Sequence, residues 1–214
     1  MKKIAILLLA LISLVAVPES ASAQFDLSKA LGGLFGGSST SSSTSSSSTN
    51  SHYKKLADAA PALTTLNGTW SYDAAYFTYL GTNPLTDVIL AQLDPIVLDV
   101  LNKMGVSRGS ANIKLDSGKG LIWQGNSSQS FKYTYDRSKA RVVLSAVIDS
   151  ESVSVSGYVK LSSPMLSIML DVKELIKAIK TIYPEYKGDQ NLVLVETLLK
   201  DMGDVYAVGV FKKQ

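Results

Sequence analysis

Nucleophilic and metal chemistry need particular side chains held close together, and this chain carries few of them. It has one histidine, His52, and no cysteine. A serine nucleophile needs a base within hydrogen-bond reach, and a zinc site draws on several His or Cys ligands. His52 stands at the end of a serine/threonine run and offers neither. Carboxylates are more numerous, and two of them roughly 5 to 9 Å apart can hydrolyse a glycoside. Yet Asp87, Asp94 and Asp99 fall on the polar side of a helical stretch, and Asp116, Asp136 and Asp149 fall at turns or strand ends. They read as solvated charges. A phosphate loop needs a glycine-rich turn between a strand and a helix. "LGGLFGG" precedes serines instead, and "DSGKG" is too short and has no helix after it. The expectation is a protein without catalysis, metal or cofactor.

What remains is aromatic. Trp70, Trp123, Phe131, Tyr133 and Tyr135, together with Leu144, lie in strand-like segments. The same residue types build an ordinary core or line an apolar pocket, so both readings stand at this point. These six are the candidate ligand-lining residues.

The elements that would position them are mostly strands. "GTWSY" and "AYFTYL" are rich in threonine and aromatics, and "SANIKLD", "GLIWQG", "SFKYTYD", "ARVVLSAVID", "SVSVSGYVKLS" and "PMLSIMLD" follow. "DSGKG", "GNSSQ" and "DRSK" supply the turn residues between them, at a spacing that pairs neighbours antiparallel. Alternation sets the faces. Val153, Val155, Val159 and Leu161 oppose Ser154, Ser156, Tyr158 and Lys160, and Phe131, Tyr133 and Tyr135 oppose Ser130, Lys132 and Thr134.

Helical periodicity interrupts the strands in two places. From about 85 to 104 an apolar stripe runs through Val88, Leu93, Val97 and Met104, with Pro95 expected to kink it. Two further helices are expected before the last strand, at about 171–183 and 190–202, the second ended by Gly203.

Upstream of all this the chain has the layout of an export signal. Lys2 and Lys3 precede an apolar run from Ile4 to Val17, and Ala21 and Ala23 place cleavage before Gln24. The run is shorter than the roughly 18 residues a membrane span needs, and Pro18 follows it. Cleavage removes two lysines and one glutamate, taking the formal charge from +3 to +2, and the remaining lysines are scattered. That gives no electrostatic case for nucleic acid. The expected organisation is a signal at 1–23, a short mature segment at 24–37, a Ser/Thr-rich flexible linker at 38–51 and one domain at 52–214. Export without disulfides points to a bacterial periplasmic, envelope-associated or secreted protein.

"LNGTWSY", with Gly68 two residues before Trp70, resembles the first-strand signature of the lipocalin superfamily. The whole arrangement is similar to an uncharacterised group of exported lipocalin-like proteins from gut bacteria. The likeness runs from the "FDLSKAL"-type start through the polar linker, "GTWSY", the helix at 85–104 and the strand meander to the end "VGVFKK". The resemblance implies a mainly β fold: an antiparallel up-and-down barrel of about eight strands, with Trp70 closing its base. It also implies an interior that takes a small apolar or amphiphilic molecule. The alternative is an envelope interaction protein whose barrel is packed solid and which works through a protein partner. Lipocalins usually pair the tryptophan with an arginine near the end of the last strand. Here that place offers Lys212 and Lys213, which lack the planar fork of arginine.

Overall fold

The computed structural model describes residues 46–81, 86, 90, 105–188, 193, 196, 197, 199 and 204–214. The expected signal and the 24–37 segment lie outside the described residues, as does the kink at Pro95. Most of the helices expected at 85–104 and 190–202 also lie outside them. The positions described within those two stretches, such as Thr86, Leu90, Glu196 and Leu199, are helical.

Eight strands close into one barrel in simple sequence order. They are β1 (Gly68–Tyr79), β2 (Ala111–Asp116), β3 (Lys119–Gln124), β4 (Ser127–Asp136), β5 (Arg141–Ile148), β6 (Glu151–Ser162), β7 (Met165–Asp171) and β8 (Val205–Lys213). Every neighbour pair is antiparallel, and β8 returns to pair with β1 from Trp70↔Lys213 to Tyr79↔Val205. Closure leaves no sheet edge. "GTWSY" and "AYFTYL", expected as two strands, are one. A bulge between Tyr72 and Ala74 absorbs Asp73, and the strand bends without breaking.

The two-residue turn at Ser117 and Gly118 has positive φ at both positions, 46° and 91°, which is the twist that joins two right-handed strands directly. Asn67 ties this turn to the start of β1: its Oδ1 accepts the Ser117 N–H at 3.0 Å. Gly68 itself has φ 135°, a backbone region closed to side-chain-bearing residues, and this is why glycine precedes the tryptophan.

Each end of the barrel has its own cover. At the Trp70 end lies a short helix, α2 (Leu63–Leu66), whose Leu66 is buried. At the other end β7 runs directly into α3 (Val172–Ile182). Asp171 caps this helix by accepting the Glu174 N–H at 3.0 Å. Leu175, Ile176, Ile179 and Ile182 then bury into the same apolar cluster as the barrel interior. The β6–β7 ladder begins at Gly157↔Leu170. The preceding residue, Ser156, gives its N–H to the Glu174 carboxylate, and its Oγ donates to the same group at 2.8 Å. The helix thereby gives the Ser156 N–H the acceptor that a strand partner would have supplied.

A first helix, α1 (Ser46–Asp58), packs outside the barrel. It begins within the stretch expected to be flexible linker, so residues 46–51 are helical and position 52 lies inside an element. The cause is tertiary. Tyr53 and Leu56 pack on an apolar strip of the outer wall formed by Leu80, Met169, Tyr206 and Val208. Tyr53 donates to Asp204, its hydroxyl lies 3.2 Å from that of Tyr206, and its ring stacks 5.3 Å from Tyr158. Burial, then the Asp204 hydrogen bond, hold the Tyr53 hydroxyl well above the ordinary tyrosine range, so it stays a donor.

Candidate functional site in the barrel interior

Alternation along each strand decides what faces the interior. On β4 the buried or half-buried residues are Phe131, Tyr133 and Tyr135, and the exposed ones between them are Lys132 and Thr134. On β5, Val142 and Leu144 face in, and register sets Leu144 opposite Tyr133 and Val142 opposite Tyr135. Gly120 on β3 pairs with Phe131, and its missing side chain makes room for the ring: a Cβ there would sit 2.0 Å from Phe131 Cζ. The aromatic row on β4 therefore lies across the inside of the barrel, braced by Leu144 on one side and Gly120 on the other.

Trp70 forms the floor. It is 1% exposed, and its Nε1 donates to the Leu66 carbonyl at 2.9 Å, joining β1 to α2. The Lys213 ammonium sits 5.2 Å from the Trp70 ring centroid. A lysine thus occupies the place expected for an arginine, and a cation still meets the ring face. What it lacks is the second, forked set of hydrogen bonds.

Five of the six candidate residues, Trp70, Phe131, Tyr133, Tyr135 and Leu144, belong to this one interior cluster or pack against it. Trp123 departs from the expectation. It pairs with Asn112 and Ser128, shares the outward parity of exposed Leu121, and is half-buried outside the cluster. Its neighbour Ile122 takes the inward position. The apolar face of α3 is legible from its amphipathic spacing, and the structure sets that face into the interior cluster.

The interior phenols have unequal partners. Tyr135 donates to the Pro61 carbonyl at 2.9 Å, and burial pushes its hydroxyl above the ordinary value. Burial does the same to Tyr72. The Tyr133 hydroxyl is fully enclosed and has no hydrogen-bond partner among the described residues. An enclosed hydroxyl left in this state costs about 1 to 3 kcal/mol. Among the described residues, no charged side chain is buried. The Thr86 hydroxyl is enclosed without a partner in the same way.

Residues 41–212 match the family described as Lipocalin-like domain (DUF4923). No curated protein and no solved structure gives a significant match to the chain.

Proposed function

From the premise that this chain belongs to the lipocalin-like domain family, we propose that it is an exported, non-catalytic protein that binds a small apolar or amphiphilic molecule inside its barrel. The observation that carries this reading is the Tyr133 hydroxyl, enclosed among apolar side chains without a partner. Stabilisation would come from burial, at about 25 cal/mol per Å² of apolar area removed from water. Trp70, Phe131, Tyr135 and Leu144 would supply apolar surface from the same interior cluster.

One observation favours a second reading, an envelope protein with a packed barrel that acts through a protein partner. The side chains of α3 fill part of the same cluster. The two readings differ in what travels with the protein. It should be expressed with its own N-terminus in a bacterial host and purified without detergent. Native mass spectrometry is then expected to show a mature chain beginning at Gln24 and a fraction carrying one small molecule of discrete mass. A spectrum of apo protein alone, with no uptake from added host lipid extract, favours the packed barrel.

A further inference from the structure

We propose that the ligand of this barrel is electrically neutral and carries a hydroxyl or carbonyl group that bonds to the Tyr133 hydroxyl. This inference rests on reading the interior as a binding site, and it adds the chemistry of the molecule bound there. Three observations on the same interior lead to it.

The first is a comparison along one strand face. Phe131, Tyr133 and Tyr135 follow one another on the inward side of β4. Phe131 fills its place with no hydroxyl, and Tyr135 has its hydroxyl satisfied by Pro61. Of these three, Tyr133 is the one whose hydroxyl the described residues leave unbonded, although it is only 5% exposed. Packing by itself would be served as well by phenylalanine, without the cost of an enclosed polar group. A partner brought by a ligand removes that cost. A phenol both donates and accepts, so an alcohol or a carbonyl group satisfies it equally.

The second is charge. No charged side chain is buried among the described residues. Two charged residues do occupy inward register positions, Glu151 and Lys213, and both lie exposed at strand ends. A carboxylate or ammonium group carried to the depth of Tyr133 would lose its water and find no opposite charge. A neutral head group meets no such penalty.

The third is depth. The Tyr133 backbone N–H donates to the Gly118 carbonyl at 2.8 Å, in the turn that Asn67 ties to the start of β1. Tyr133 therefore lies toward the Trp70 end, away from α3. The ligand would enter with its polar group leading and its apolar body toward α3.

Probes of equal chain length test this on the full mature protein: dodecan-1-ol, 2-dodecanone, dodecanoate and dodecyltrimethylammonium, measured by calorimetry. The alcohol and ketone are expected to bind at least about tenfold more tightly than either ion. Tyr133→Phe is expected to weaken the two neutral probes roughly three- to tenfold. The melting temperature of the ligand-free variant should equal or exceed that of the parent, which separates a lost bond from a damaged fold. Dodecanoate binding as tightly as the alcohol overturns the neutral-ligand inference alone, as does unchanged alcohol affinity in Tyr133→Phe. Failure of all four probes to bind overturns the binding function and this inference with it.

Discussion

Replacing Trp70 by alanine lowers the unfolding free energy by about 3 to 5 kcal/mol in urea denaturation. Three losses combine. The ring is 1% exposed, so its removal opens a void in the floor of the barrel. The Leu66 carbonyl loses the indole N–H that joins α2 to β1. Lys213 loses the ring face beneath its ammonium, a contact of about 0.5 to 1 kcal/mol where water reaches the cation. These terms predict an order. Trp70→Phe keeps much of the volume and costs less, and Lys213→Ala costs least. A Trp70→Ala loss below about 1 kcal/mol would mean that the floor collapses freely and that the tryptophan does not organise the barrel base.

Gly157→Ala is the second large effect, about 3 kcal/mol or more, read as a drop in melting temperature. Gly157 opens the β6–β7 ladder opposite Leu170, and there the two backbones approach closely. A Cβ at this position would stand 1.8 Å from the Met169 carbonyl oxygen. Backbone cannot rotate aside as a side chain does, so one of the two strands must shift and loosen the closure next to α3. Gly120→Ala gives the contrast. Its Cβ would meet the Phe131 ring at 2.0 Å, a side chain in place of backbone. Gly120→Ala is therefore expected to cost less, about 1 to 2 kcal/mol. Equal costs at the two glycines would contradict the close backbone approach at the β6–β7 corner.

The sequence announces some of this structure openly. In "SFKYTY" and "VSVSGYVKL" apolar and polar residues alternate cleanly, so the inward faces of β4 and β6 can be read directly. Trp70 is legible because Asn67 and Gly68 mark the turn that introduces it. "GLIWQG" defeats the same logic. Leu121, Ile122 and Trp123 are all apolar, alternation offers no choice of face, and only the register with β2 and β4 sets Trp123 outward. The bulge at Asp73 is equally silent, since nothing local distinguishes a bent strand from a hairpin.

The first helix shows a different limit. Its serine-rich beginning has the composition of a spacer, and two residues, Tyr53 and Leu56, dock it. Most of their partner strip, Met169 on β7 with Tyr206 and Val208 on β8, lies more than a hundred residues later in the chain and is assembled only when the barrel closes. The missing partner of Tyr133 is likewise a property of the folded interior. Alternation places the residue inward, but only the finished barrel determines that Pro61 reaches Tyr135 and nothing described reaches its neighbour.

If the proposed ligand binds in the interior and not on the outer wall, the two tryptophans report on it differently, because they lie one on each side of that wall. In the Trp123→Phe variant Trp70 is the sole tryptophan, and its fluorescence can be titrated with a long-chain alcohol brominated on the carbon next to the hydroxyl, the end expected nearest Trp70, where bromine quenches on contact. The expected result is saturable quenching at one alcohol per chain. It should be relieved by the unbrominated alcohol and weakened by Tyr133→Phe. Trp70 emission unchanged up to the solubility limit, with quenching found only where Trp123 is retained, would place the contact on the outer wall and contradict an interior site.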